Sequence, residues 1–268
     1  MPSRKTGENI VSKITWKGEK AIVHFSERKL ELSINAFTEF RLYEGKAVSS
    51  SEMKKLLSYA KLDADYNYSL RLLSHKGYTE MELRQKLIAK GASEENRGKI
   101  VSMLKKQGFL DDEEYAKNYA EEALEIKCYG SKKIFYELGN KGIKEEIIKK
   151  IHIPKQKEKE AAERAFDAFL RRYSSLPKKK KKEKIQQGLY QRGFGEEMIN
   201  ELLNRVPEND PKADEALLRR ELEKTITHYS RKYEGYDLRE RIVAALLKKG
   251  YPYGEIKRLL EDDDYEID

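Results

Sequence analysis

The sequence predicts a mainly α-helical chain. About four tandem three-helix repeats would stack into an elongated, curved array, with a small β-containing appendage at the N-terminus. Three observations carry this expectation. A degenerate motif, two apolar residues and a glycine spaced four apart, occurs as Leu83-Leu87-Gly91, Ile134-Leu138-Gly142, Ile185-Leu189-Gly193 and Ile242-Leu246-Gly250. The glycines lie 51, 51 and 57 residues apart, a period that marks one supersecondary unit reused so that each unit covers its neighbour's apolar face. The chain of 268 residues is 38% hydrophobic and 38% charged, which is lean for one compact core of that size. Residues 1 to 36 follow a different period, alternating apolar and polar.

In that first segment Ile14 and Trp16, Val23 and Phe25, and Leu30, Leu32 and Ile34 alternate with polar residues, with polar loops at 17–20 and 26–29. Such alternation predicts two or three antiparallel strands. Trp16 reads as a core anchor of this sheet, exposed base stacking being the alternative. Asn35 is placed to cap a short helix through Leu42, Glu44-Gly45-Lys46 turns the chain, and Ser49 with Glu52 starts a helix ending near Leu62. The appendage is therefore residues 1–62. The stretch Asp63-Ala64-Asp65-Tyr66-Asn67 mimics the opening of a calcium loop, but Tyr68 stands where the turn needs glycine and Ser74 where a bidentate glutamate is needed. It reads as a polar link and helix cap, and no metal is expected.

Each repeat motif is a helix with its stop. Apolar residues at i and i+4 share a face, and a glycine just past the last turn can take the left-handed conformation that satisfies orphan carbonyls. In repeats 2 to 4 a longer amphipathic helix precedes the motif and a shorter one follows it. Repeat 1 (63–110) uses Ser69–Ser74, a helix opened by the capping box Thr79 and Glu82, and Ser93–Gln107 before Gly108. Repeat 2 (111–154) uses Asp111–Ile126, Gly130–Lys141 and Lys144–Ile151. Asp111 and Glu114 form its cap, so the Asp111-Asp112 pair reads as structural, not catalytic. Repeat 3 (155–210) uses Glu158–Tyr173, Pro177–Arg192 and Gly195–Arg205; repeat 4 (211–268) uses Ala213–Tyr233, Asp237–Lys249 and Tyr253–Glu261, with an acidic tail.

Lysine plus arginine number 55 against 47 acidic residues, a net charge of +8, which favours polyanions or acidic partners. The candidate contacts are basic residues on the second helices: Arg84, Lys86 and Lys90; Lys132 and Lys133; Lys178, Lys179, Lys180, Lys181, Lys182 and Lys184; Lys248 and Lys249. The run Lys178–Lys182 opposes a helix dipole, which hints at binding. The helix opening at Gly130 is placed to aim free N–H groups at a phosphate. Among the tyrosines, Tyr115, Tyr119, Tyr173 and Tyr190 fall at core spacing, while Tyr129, Tyr236 and Tyr253 are open to stacking on bases. One cysteine, Cys128, excludes an intramolecular disulfide and reads as a structural thiol. There is no phosphate-loop or dinucleotide motif, and the four histidines have no ligand spacing, so no enzyme and no cofactor are expected. With no signal-like or membrane-spanning stretch, a cytoplasmic, monomeric protein without membrane contact is expected.

Three segments also match a known pattern: Leu70-Arg71-Leu72-Leu73-Ser74 through Thr79 to Leu87; Gly108-Phe109-Leu110-Asp111-Asp112-Glu113-Glu114-Tyr115-Ala116 with Tyr119; and Gly130-Ser131-Lys132-Lys133-Ile134 through Gly142-Ile143. They resemble the bacterial RecX family, in its longer four-repeat form, as does Lys184-Ile185 through Gly193-Phe194. The chain departs from the common pattern at Tyr78 and in the longer segment 92–98. The resemblance implies a non-enzymatic regulator of homologous recombination, DNA repair and the SOS response. Such a protein would bind the filament of RecA recombinase on DNA and block its extension or promote its disassembly. A stand-alone nucleic-acid-binding repeat protein, or a scaffold for an acidic protein partner, are the competing readings.

Overall fold

The computed structural model describes residues 9–262, with side chains to 261. The expected acidic tail beyond 262 lies outside the described residues. Among them, the first element is an antiparallel four-stranded sheet: β1 (Asn9–Lys17), β2 (Lys20–Phe25), β3 (Lys29–Ser33) and β4 (Ala47–Val48), in the order β3-β2-β1-β4. Alternation sends Ala21, Val23 and Phe25 to one buried face with Val11, Leu32 and Val48. Gly18, at φ 59°, closes the β1–β2 hairpin where Lys17 pairs with Lys20. Trp16 is not the anchor expected of it. It lies one step from that hairpin, is 53% exposed, and meets Phe37 edge-on at 5.1 Å.

A short helix follows, α1 (Ile34–Glu39), and its cap is Ser33 rather than Asn35. The Ser33 hydroxyl accepts from the Ala36 amide at 3.1 Å from extended backbone, the conformation an N-cap requires, whereas Asn35 is already helical. The next helix, α2 (Ser50–His75), begins as expected, with Ser49 accepting from the Glu52 amide, but it does not end near Leu62. Residues 63–67 contain no glycine or proline to stop it, and Asn67 donates to Asp63 one turn back at 3.1 Å. The expected polar link is thus helix interior, and the 62/63 boundary falls inside α2. Its N-terminal part gives Met53 and Leu56 to the sheet's core; from Leu62 onward, Leu62, Tyr66, Leu70 and Leu73 pack on the core of repeat 1.

The remaining helices are α3 (Glu80–Ala89) and α4 (Glu94–Lys106); α5 (Asp112–Glu125), α6 (Ser131–Asn140) and α7 (Glu145–Ile148); α8 (Lys155–Arg172), α9 (Lys178–Gln191) and α10 (Glu196–Asn204); and α11 (Pro211–Tyr229), α12 (Gly235–Lys248) and α13 (Tyr253–Asp262). The chain forms two compact units, one up to Asn118 with Leu138–Lys150, the other Tyr119–Glu137 with Ile151 onward. Capping chemistry sets many starts. Thr79 and Glu82 form the capping box of α3, Asp111 accepts from the Glu113 and Glu114 amides, and Asp112 accepts from the Glu80 amide at 2.9 Å. Among the described residues, no helix is long and apolar enough to cross a membrane.

The four motif glycines end their helices in one way. Gly91, Gly142, Gly193 and Gly250 all have φ between 77° and 95°. In each, the glycine amide donates to the carbonyl three residues back, and the following residue's amide to the carbonyl five back: Ala92 to Leu87, Ile143 to Leu138, Phe194 to Leu189 and Tyr251 to Leu246. This is the Schellman arrangement, and those four following residues are all buried.

Candidate functional site

The basic residue before each motif glycine sits at the helix C-cap, where a cation is favoured by the dipole. Each also holds a partner. Lys90 Nζ donates to Asp65 Oδ1 at 2.6 Å and to the Ala64 carbonyl, and lies over the Tyr68 ring. Asp65 is 3% exposed, and this lysine is what permits a carboxylate inside the core of repeat 1; its Oδ2 has no partner. Lys141 donates to Glu82 at 2.8 Å and lies over Tyr115. Burial alone would lower its pKa, but the hydrogen bonds with Glu82 and Tyr115 outweigh it and raise it above the ordinary lysine value. Arg192 Nη1 donates to the Lys127 and Cys128 carbonyls at 2.6 and 3.2 Å, its guanidinium over Phe169. Lys249 donates to Glu221 at 2.6 Å; hydrogen bonds from Lys249 and Lys224 hold that carboxyl below its usual range.

The glycine turns also fasten repeats together. The turn after α6 lies on the first turn of α3: Thr79 Oγ1 donates to the Lys141 carbonyl at 2.7 Å, and a Cβ added to Gly142 would fall 2.5 Å from Met81 Cβ. The turn after α9 lies on the first turn of α6: the Gly130 amide donates to the Arg192 carbonyl, and a Cβ on Gly193 would fall 2.3 Å from the Lys133 nitrogen. The turn after α12 lies on the first turn of α9, where a Cβ on Gly250 would fall 2.9 Å from Lys180 Cβ. Glycine is therefore required twice, by φ and by close approach. Sequence reasoning missed these seats, because each joins segments about sixty to seventy residues apart and nothing local marks the upstream half.

The candidate cations divide into held and free. Beyond Lys90, Lys141 and Lys249, Arg84 donates to Glu80 at 2.8 Å, and Lys105 pairs with the same carboxylate. Burial pushes Glu80 up, but the hydrogen bonds from Lys105 and Arg84 win and hold it below the usual range. Lys133 pairs with Glu137 at 3.4 Å and lies over Tyr129. In the basic run, Lys178 pairs with Glu208 and Lys180 with Glu183, while Lys181 is 4% exposed and donates to Asn209. The run thus fastens α9 to the 208–209 segment, which offsets the unfavourable dipole. Lys86, Lys132, Lys179, Lys184 and Lys248 are exposed, and Lys182 half-buried, with no ion pair or hydrogen bond among the described residues.

Two expectations fail on geometry. The Gly130 amide already serves Arg192, and the Ser131 amide is taken by Glu158 Oε1 at 2.7 Å, so this helix start has no free N–H pair for a phosphate. Tyr190 is 71% exposed, because it follows buried Leu189 by one residue and so points about 100° away from the Ile185–Leu189 stripe. Tyr136 on α6 and Tyr236 on α12 are likewise exposed, at 66% and 77%. Cys128 is half-buried at φ 50°, its carbonyl held by Arg192. Among the described residues, no cluster of His, Cys, Asp or Glu could hold a metal ion.

The fold and the seats define a class: a tandem three-helix-repeat protein whose second helices are joined through glycine turns and carry exposed lysines. Two segments of the chain match family models of RecX, and most of its length is similar to regulatory proteins of that family. The model for the first three-helix domain of RecX matches residues 66–101, and that for the second matches 111–150. The regulatory protein RecX of Streptococcus gordonii is 29% identical over 236 residues, covering 87% of this chain and 91% of that one. The regulatory protein RecX of Streptococcus mutans is 27% identical, covering 94% and 98%. A crystal structure of a regulatory protein RecX superimposes with a TM-score of 0.58 at 23% identity, covering 74% of this chain and 99% of that one, a likeness of fold.

Proposed function

We propose that this protein restrains the RecA recombinase in the cytoplasm. It would bind the RecA filament on DNA, block its extension or promote its disassembly, and so limit strand exchange and ATP hydrolysis during recombinational repair and the SOS response. It would do so by binding, with no chemistry of its own. Similarity to a family of regulatory proteins supports the reading, and the observation that carries it is the set of unpaired lysines: Lys86, Lys132, Lys179, Lys182, Lys184 and Lys248 on the second helices. Repeated weak contacts of this kind act in parallel on a repeating polymer, each raising the effective concentration of the next.

The test is DNA-stimulated ATP hydrolysis by RecA with increasing amounts of this chain. Inhibition well below one molecule per recombinase supports capping of filament ends, and inhibition near equivalence supports binding along the filament. No effect removes the assignment. Binding to bare oligonucleotide across a salt series then tests the stand-alone nucleic-acid reading, which requires tight binding in the absence of RecA.

A further inference from the structure

We infer that the first turn of α12 and the turn at Gly91 are the two unused halves of the chain's own inter-repeat contact, and that a second copy of the chain fills them head to tail. The contact occurs three times in the chain, always with the glycine turn of one repeat on the first turn of the preceding repeat's second helix. Three turns (Gly142, Gly193, Gly250) and three first turns (of α3, α6 and α9) are consumed by it. One of each is left over.

Burial separates used from unused halves. The residue immediately before each seated helix is covered: Thr79, Gly130 and Pro177 are all buried. The matching residue before α12, Glu234, is exposed, and Tyr236 in that first turn is 77% exposed. On the other half, Gly193 is buried and Gly142 and Gly250 are half-buried, while Gly91 is exposed, and a Cβ built on it meets nothing within 4 Å. Ile88 beside it is 56% exposed, so each unused half also leaves a large apolar side chain in water.

Charge fits the same pairing. In the first seat, Glu82, the third helical residue of α3, binds the C-cap Lys141 of the incoming turn at 2.8 Å. The third helical residue of α12 is Asp237, exposed and unpaired among the described residues, and the C-cap residue of the free turn is Lys90. Lys141 serves Glu82 while also lying over Tyr115, so Lys90 can serve Asp237 while keeping Asp65. The two halves differ in kind, so the contact is heterologous, and each added copy exposes a fresh half at either end.

Sedimentation velocity of the full chain over a concentration series tests this. Wild type should sediment faster with concentration, through dimers to longer assemblies. Gly91→Asn keeps a residue tolerant of positive φ but adds a side chain to the turn; Asp237→Lys places like charges across the contact. Each should weaken association by about tenfold or more. An equimolar mixture should recover dimers and stop there, since Gly91→Asn keeps a working α12 and Asp237→Lys a working turn. A wild type that stays monomeric, or association indifferent to both substitutions, overturns the inference. So does a monomer in which Asp237→Lys instead weakens binding to the RecA filament, an outcome that gives the α12 seat to the recombinase.

Discussion

The Gly130 amide reaches the carbonyl of Arg192 at 2.7 Å, and the Arg192 side chain returns to the carbonyls of Lys127 and Cys128. One residue thus takes a hydrogen bond from its neighbouring repeat through its backbone and gives two back through its side chain. The basic residues at the four C-caps act as internal fasteners.

The first consequence concerns glycine. Gly193→Ala should destabilise the chain by about 2 kcal/mol or more, since a left-handed backbone alone costs about 1–2 and the new methyl strikes the Lys133 backbone. Gly139→Ala, in open space on helix α6, should instead stabilise by about 0.5–1 kcal/mol. Urea unfolding of the two variants checks the opposite signs.

Arg192→Met should leave two loop carbonyls without their donor, at about 1–3 kcal/mol. Arg192→Lys should recover only part of that, because a single ammonium cannot match the planar fork. A denaturation midpoint for Arg192→Met equal to wild type would contradict this account.

Among the lysines, Lys179→Gln, Lys182→Gln and Lys184→Gln together should flatten the dependence of DNA affinity on salt by about 0.7 per lost contact for single strands, or about 0.9 for duplex. Lys181→Gln should leave that slope alone and lower stability, since Lys181 is buried against Asn209. Fluorescence anisotropy across a salt series, read beside unfolding curves, separates the two groups.

Alkaline pH supplies a further test. Burial pushes the Tyr251 phenol up to about 12 from its ordinary 10, with Glu221 and Asp214 adding to the rise. Because the folded value is the higher one, the associated stability is complete below pH 10 and is lost as pH climbs through about 12. Tyr251→Phe should abolish this part of the pH dependence; an unchanged alkaline limb in urea unfolding would refute it.

The helix stops were legible because the Schellman turn is local: spacing, glycine and the buried residue after it all lie within ten positions. Helix α2 was not, because Asp63-Ala64-Asp65 looks like a link until Lys90, twenty-five residues on, is seen to neutralise Asp65. Lys181 and Lys182 are indistinguishable in a run of five lysines; only the approach of Asn209 separates a buried cation from a half-exposed one. Tyr190 failed by one position, since a shift of one residue on a helix turns a core side chain into a surface one.

Helix α2, at 26 residues, is about 39 Å long and crosses two apolar cores without a break. One unbroken ladder of backbone hydrogen bonds therefore underlies both cores, and the Asp65–Lys90 pair sits on the same helix that closes the sheet.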